Sequence, residues 1–541
     1  MPADDALLTA DCRLRTVGPV RLSGVLVPLF SIPSTRSWGI GEIGDLTPFA
    51  SWLRAAGFQL IQVLPLNEMA AGGQSPYSAM SAMAIDPIFI SVAQIEDFRA
   101  LGGAAAMGAA WQDRLTAARA TGAVDYRLVR RVKMTALRAA FERFRAVDLA
   151  RDTCRAGRFR RWCVAGGWWL DDYALFRAVH ANEDERSWME WPALMRAREP
   201  GAIRAARADL DGEILYRQYL QWIANEQWQA ARRTVAGMAV FGDLPFMVDA
   251  DSADVWTRQH QFRLDASVGA PPDAFSELGQ RWGLPPYEWD VCATTGYEWL
   301  ALRARRAAEL YDGYRIDHLV GFYRTYVIPN GRLKGHFSPV EPPAQLELGE
   351  TLLRIFGATG AQIIAEDLGT VPGFVRESLA RMGVPGCRVL RWEREWDVLA
   401  RPFRDPSAYP PSSVAASGTH DTDTLAVWWD GMDDEERAAA GGIPGLQRLL
   451  PAGLDVAHAP FSPAILDALL EMLYASGSNV LILPVQDLFG WRDRINVPAL
   501  LSDNNWTWRL PWPSDEIQDQ PEAAERAATL GRWARAHGRV Q

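Results

Sequence analysis

Three short segments end apolar runs in acids, and each offers a carboxyl group to a reaction. The first is Tyr314-Arg315-Ile316-Asp317-His318. Alternate residues of a strand share a face, so Arg315 and Asp317 point together while Ile316 turns toward a helix layer. A guanidinium beside a carboxylate keeps it ionised and oriented, as a nucleophile requires; a structural ion pair accounts equally well for the spacing taken alone. The second segment, Ile363-Ile364-Ala365-Glu366-Asp367-Leu368-Gly369, breaks from apolar residues into two acids. That is costly unless an acid meets a polar cavity. Alternation sends Glu366 and Asp367 to opposite faces, so one enters a site and the other is braced by structure. The third is Ser417-Gly418-Thr419-His420-Asp421-Thr422-Asp423-Thr424. The chain has seven histidines, and two of them stand directly beside two of these acids, as His318 and His420. A metal site would also use such pairs, but no H-x-x-x-H or H-x-E spacing accompanies them, so no metal is expected.

Two carboxyl groups flanking a glycosidic bond are what retaining sugar chemistry needs: one attacks the anomeric carbon, the other protonates the leaving oxygen and later deprotonates the acceptor. A third can steady the oxocarbenium-like charge. The 23 tryptophans, against 13 tyrosines, fit a sugar-handling protein, since an indole face stacks on a pyranose ring; most of them are expected to fill the core.

The elements that must carry these acids alternate strand-like runs with helical stretches, the pattern of a parallel sheet. Gly24 to Phe30 reads as a buried strand despite Pro28. A helix follows on Leu46, Phe49, Ala50 and Leu53, with Asp45 as cap and Gly57 as its end, and Leu60 to Leu66 is the next strand. Further runs lie at Met238–Met247, Gly313–Leu319, Ala361–Leu368, Cys387–Trp392, Ser412–Ser417 and Asn479–Val485. These eight runs predict an α/β fold, a (β/α)₈ TIM barrel with a large helical insertion between strands 2 and 3 and further insertions in its loops. An open doubly wound sheet fits the pattern too, but no G-x-G-x-x-G turn follows the first strand. The expected divisions are 1–95 for the first two strands, 96–235 for the helical insertion, 236–512 for strands 3 to 8, and 513–541 for a C-terminal helical segment. The insertion is expected to sit beside the barrel mouth, where Trp162, Trp168, Trp169, Trp188 and Trp191 offer sugar platforms if they do not fill its core.

A net charge of −10 argues against a nucleic-acid partner, whose phosphates demand a basic surface, and suits a neutral substrate. Five scattered cysteines (Cys12, Cys154, Cys163, Cys292, Cys387) with no C-x-x-C spacing read as reduced thiols. No apolar h-region opens the sequence and no run is long enough to span a membrane, so a cytoplasmic protein is expected.

The three acid segments resemble the signature regions of the amylomaltase, or 4-α-glucanotransferase, family: R-I-D-H, A-E-D-L-G and G-T-H-D-x-D-T. Trp38-Gly39-Ile40-Gly41, Gln62-Val63-Leu64-Pro65 and Ser75-Pro76-Tyr77-Ser78 are similar to that family's first loops. Gly242-Asp243-Leu244-Pro245 to Trp256, Pro271 to Gly283, Gln486-Asp487-Leu488 and Asn505-Trp506-Thr507-Trp508-Arg509 continue the likeness in the same order, and Leu170 to Phe176 carries it into the insertion. The resemblance implies Asp317 as nucleophile, Glu366 as acid/base and Asp421 as transition-state stabiliser. It implies that Arg315, His318, His420, Tyr77 and Asp251 line the subsite before the scissile bond, and that Gln280 and Trp282 belong to a mobile cover of about 269–287. It further implies no cofactor, α-1,4-glucans and maltooligosaccharides as substrates, and glucose as an acceptor. The cover departs from many relatives at Leu284-Pro285-Pro286-Tyr287, and the charged run Arg391 to Glu395 has no counterpart role. An α-amylase-like hydrolase and a non-catalytic glucan-binding protein are the alternatives; the latter is expected to lack one of the three acids.

Overall fold

The computed structural model describes residues 20–70, 72–272, 279–396, 398–399, 401–498, 500 and 502–540. Its strands, in chain order, are β1 (Leu22–Leu26), β2 (Leu60–Gln62), β3 (Ala239–Leu244), β4 (Ala266–Ala270), β5 (Gln280–Arg281), β6 (Gly313–Ile316), β7 (Thr325–Pro329), β8 (His336–Ser338), β9 (Gln362–Ala365), β10 (Gly386–Val389), β11 (Ser413–Ala416) and β12 (Val480–Pro484). Eight of them close into a barrel in the order β1-β2-β3-β6-β9-β10-β11-β12, all pairs parallel. All eight expected strand positions fall in this barrel. Each strand is shorter than its apolar run, because residues such as Leu64 and Leu66 stay fully buried beyond the end of the strand. Gly24–Phe30 is cut in the same way. Its last ladder bond runs from Val27 N to the Gln62 carbonyl at 2.9 Å, and Pro28, without an N–H to donate, leads into a 3₁₀ turn at Leu29–Ser31.

The first crossover helix runs Leu46–Ala55, and Gly57 ends it in the left-handed conformation (φ +80°). Asp45 stands at its N-cap position but does not cap it. Its carboxylate instead accepts from the Glu42 N–H at 2.7 Å and the Ser37 hydroxyl at 2.5 Å, bracing the 3₁₀ turn that precedes the helix.

Between β2 and β3 the chain is helical, the longest helices being Tyr126–Phe144, Cys154–Asn182 and Asp211–Thr234. Lys133, fully buried, ties the first of these to the barrel loops: its Nζ lies 2.8 Å from Glu42 and donates to the Ile88 and Ile90 carbonyls at 2.7 and 2.9 Å. A buried ammonium persists only with such a complete set of partners. Val124 N and Tyr126 Oη donate to the Thr507 and Trp506 carbonyls, so the insertion docks on the segment that follows β12. Trp169, Trp188 and Trp191 are core residues.

Sequence reasoning missed a second sheet, antiparallel with order β5-β4-β7-β8. Its strands are two to five residues long, and β4 (Ala-Ser-Val-Gly-Ala) has no hydrophobic alternation to betray it. Its last strand toward the barrel mouth, β5, carries Gln280. Residues 273–278 of the expected cover lie outside the described residues, as does Cys12.

At the opposite end of the barrel, Arg539 is fully buried and donates to the carbonyls of Leu22, Tyr474, Ser476 and Ser478, which ties the C-terminus to β1 and to the turn before β12.

Candidate active site

The acids converge because the barrel places β3, β6 and β9 side by side and because the ladders outrun the strands. Asp317 N donates to the Leu244 carbonyl at 3.0 Å, Glu366 N to Ile316 at 3.2 Å, and Leu319 N to Glu366 at 3.2 Å. Asp317 and Glu366 therefore emerge from the same, C-terminal, end of adjacent strands.

Arg315, in β6, is the centre of the arrangement. Its guanidinium reaches three carboxylates at once: Nε to Asp243 at 2.9 Å, Nη2 to Asp317 at 2.9 Å and Nη1 to Glu366 at 3.1 Å. Only a planar fork with donors in three directions serves three acids this way. Asp243 faces it directly, since Asp243 and Arg315 are register partners of β3 and β6. Glu366 receives a further bond from the backbone N–H of His318, 2.5 Å away. His318 takes a left-handed conformation (φ +47°) to deliver it, a strained backbone held immediately beside the proposed chemistry. Both bonds to Glu366 fall on Oε2, and the bond to Asp317 falls on Oδ1, leaving one oxygen of each carboxyl group without a hydrogen bond among the described residues.

Asp367, adjacent to Glu366, points the other way. It is buried, accepts from Cys387 N at 2.8 Å and pairs with Arg388 at 3.2 Å, the braced member that alternation predicts.

Asp421 arrives on the turn after β11. Gly418 permits this turn: a Cβ there would lie 2.5 Å from the Thr422 hydroxyl. Buried Asp487 accepts from the Ser417 hydroxyl at 2.5 Å and from Leu425 N at 2.7 Å, and fixes the two ends of the turn. Asp421 itself is held by the Asn496 amide at 2.6 Å and lies 3.3 Å from His420 Nε2. Arg494 donates to the Asp421 carbonyl and Arg391 to the Asp423 carbonyl, which gives the charged run after β10 a supporting position under this turn.

Tyr77, from the loop after β2, donates to Asp243 at 2.9 Å and stacks on His420 at 5.2 Å; Trp506 packs on both rings. Trp282 meets His318 edge-on at 4.9 Å and takes Gln280 Oε1 as acceptor for its indole N–H at 3.0 Å. A groove of about 1060 Å³ runs past Trp282, Asn496 and Trp506, with Ser75 and the 124–127 segment of the insertion on its other wall. Three of its lining residues touch the site: Trp282 meets His318, Asn496 holds Asp421 and Trp506 packs on Tyr77 and His420.

Of the residues singled out from sequence, the structure brings Asp317, Glu366, Asp421, Arg315, His318, His420, Tyr77 and Trp282 together, with Gln280 one contact away. Asp251 is elsewhere. It accepts from Trp188 N at 3.0 Å and lies 3.6 Å from His180 Nε2, among residues of the insertion. The acid that meets Arg315 and Tyr77 is Asp243, and a signal for it was present: an acid inside the apolar run Ala239-Val240-Phe241-Gly242-Asp243-Leu244 breaks the same rule that drew attention to Glu366. Asn496 carries no such signal.

Burial pushes Asp317 up; Arg315 opposes it, but Glu366 and Asp243 add to the push, and the carboxyl ends well above the ordinary range. Burial pushes Glu366 up as well, but Arg315, His318 and its N–H outweigh it and hold this carboxyl low. The two acids share a guanidinium and titrate as a pair. Their side chains stay 31% and 21% exposed, so both carboxyl groups remain open to solvent. Burial would raise Asp421, yet His420 and the Asn496 amide overcome it and bring the group to about 2. Tyr77 is pushed well above its usual value by burial and by Asp243, and remains a donor.

Residues 27–515 match the family model described as 4-alpha-glucanotransferase. The 4-alpha-glucanotransferase of Thermus thermophilus is 33% identical over 530 residues, covering 94% of this chain and 99% of that one. That of Chlamydia caviae is 30% identical over 516 residues, covering 93% of each. The structure of the amylomaltase from Streptococcus agalactiae in complex with acarbose superposes with a TM-score of 0.80 at 27% identity, over 96% of this chain and 100% of that one. With a barrel of this order and three acids gathered at its mouth, the chain belongs to the 4-α-glucanotransferase family.

Proposed function

We propose that this enzyme moves α-1,4-glucan segments from a donor chain to the 4-hydroxyl of an acceptor sugar by two retaining displacements, with Asp317 as nucleophile, Glu366 as acid/base and Asp421 as stabiliser of the transition state. The observation that carries the reading is the single Arg315 guanidinium bonded to Asp317 and Glu366 together. Retaining chemistry needs two carboxyl groups close enough to act on one glycosidic bond from either side.

In the first displacement, Glu366 gives a proton to the glycosidic oxygen while an Asp317 oxygen bonds to the anomeric carbon, and the leaving chain departs with that proton. In the second, Glu366 removes the proton of the acceptor hydroxyl, whose oxygen takes the anomeric carbon from Asp317. The first step wants the proton on Glu366. Attack needs the Asp317 anion, which Arg315 and the positive charge developing at the anomeric carbon both favour. Each carboxyl group keeps one oxygen clear of the protein for its task, and Arg315 holds the other. Asp421, kept ionised by His420 and Asn496, answers the same positive charge.

Transfer differs from hydrolysis only in what attacks the glycosyl-enzyme. Trp282, seated on His318 at the groove wall, favours a bound sugar over water there. The acarbose held by the Streptococcus agalactiae amylomaltase supports an α-glucan occupant. In the same reading residues 96–235 form a subdomain that walls the groove, and glucose and maltooligosaccharides serve as acceptors. Incubation with maltotriose tests it. Longer maltooligosaccharides with released glucose are expected; maltose and glucose alone would make the enzyme a hydrolase.

A further inference from the structure

A second cavity, of about 600 Å³, lies where the helix Tyr126–Phe144 faces Cys154–Asn182 and Asp211–Thr234. Six arginines line it: Arg127, Arg130, Arg131 and Arg138 from the first helix, Arg177 from the second and Arg217 from the third. Spacings of three and four residues put 127, 130, 131, Met134 and 138 on one helical face, so the clustering is set by sequence. In a chain of net charge −10 this concentration of guanidiniums is local.

The acids within reach do not match it. Arg130 forks onto Asp86 at 2.9 and 3.3 Å, Arg177 pairs with Glu68 and Glu185 at 3.0 and 3.2 Å, and Arg138 and Arg217 share Glu213 at 2.6 and 2.8 Å. Four carboxylates thus face six guanidiniums. Arg127 and Arg131 have no carboxylate partner among the described residues, and the buried Arg130 Nε has no hydrogen-bond partner. The unmatched charge is about +2. A phosphate monoester, which carries about −1.5 to −2 at neutral pH and three acceptor oxygens, matches it where a single carboxylate does not. Guanidinium forks are also the groups that suit phosphate geometry.

The cavity adjoins the groove, for Gly72 and Arg127 line both. We infer that the arginine cavity is a binding site for the phosphate ester of a sugar, either free or borne on a glucan chain lying in the groove; the chain-borne form rests on the glucan reading given above. Met134 supplies an apolar contact for the sugar.

Isothermal titration of the full chain at fixed ionic strength tests this with three probes: glucose 6-phosphate, a maltotriose carrying one phosphate ester, and neutral maltotriose. The site predicts saturable binding of at least one phosphate probe beyond what the neutral sugar gives. Arg131→Gln should weaken that binding about tenfold, the loss of one charged hydrogen bond, and leave disproportionation of neutral maltotriose unchanged. Phosphorylated maltotriose binding more tightly than both other probes identifies the chain-borne ester; equal binding of the two phosphates identifies the free sugar phosphate, which holds even if the groove takes no glucan. No phosphate binding above that of the neutral sugar, or binding indifferent to Arg131→Gln combined with Arg127→Gln, overturns the inference.

Discussion

Replacing Arg315 by lysine keeps the positive charge and removes the fork. The guanidinium donates to Asp243 and Asp317 and pairs with Glu366, each from a different nitrogen. One ammonium on a shorter stem can retain a single such contact, so two charge-assisted contacts are lost, each worth about 1.5–3 kcal/mol. The combined loss is about 3–6 kcal/mol. At about 1.4 kcal/mol per tenfold it predicts a fall in kcat of roughly 10²- to 10⁴-fold. The pH profile should move as well. Arg315 pulls both Asp317 and Glu366 down against their burial, so weakening it raises both carboxyls and carries the acid limb of kcat/KM to higher pH. The assay is glucose release from maltotriose across pH, with thermal melting to verify that Arg315→Lys is folded. A folded variant within about fivefold of the wild-type kcat, with its acid limb unmoved, would refute the idea that this guanidinium organises the pair.

Two further perturbations test neighbouring parts of the structure. Asn496→Ala removes the 2.6 Å bond that holds Asp421; turnover of maltotriose at neutral pH should fall roughly tenfold or more, the loss of one hydrogen bond to a charged group, and an unchanged kcat in the folded variant would contradict the supporting role of Asn496. Asp254, wholly buried, is raised from the usual 3.8 to about 6 by burial, with the Ala82 N–H opposing. A group raised on folding contributes stability that is fully present below 3.8 and lost as pH climbs through about 6, a span of about 3 kcal/mol. Asp254→Asn should therefore gain melting temperature relative to wild type between pH 5 and pH 8, and a difference that is flat or falls over that range would contradict the assignment.

What the sequence made legible follows from where the physics is local. Buried parallel strands are continuous apolar runs, so all eight barrel strands stood out, and the acids that interrupt such runs marked Asp317 and Glu366. Strand ends were less legible, because Leu64 and Leu66 are as buried beyond β2 as Ile61 is within it. The β4–β5–β7–β8 sheet was invisible, since Ala266–Ala270 pairs with strands it does not resemble and owes its form to them. Supporting polar groups were the hardest to foresee. Asn496 reaches Asp421 across 75 positions and Lys133 reaches Glu42 across 91, and nothing local to either residue announces the partner. Asp251 shows the converse: an acid in a recognisable segment need not face the site, and its bond to Trp188 N is set by the insertion rather than by the barrel.

The central claim is that Asp317 takes the glucan covalently while Glu366 manages its protons. It is tested most directly by offering Glu366→Ala an α-maltosyl fluoride, whose fluoride departs without protonation, and measuring the mass of the protein and its peptides. With the acid/base gone, the first displacement proceeds and the second stalls for want of a base. The account predicts a protein heavier by one maltosyl group, with the addition on the peptide containing Asp317 and absent in Glu366→Ala combined with Asp317→Ala. A folded Glu366→Ala protein that consumes the fluoride with no adduct, or that carries the sugar on a residue other than Asp317, would contradict it.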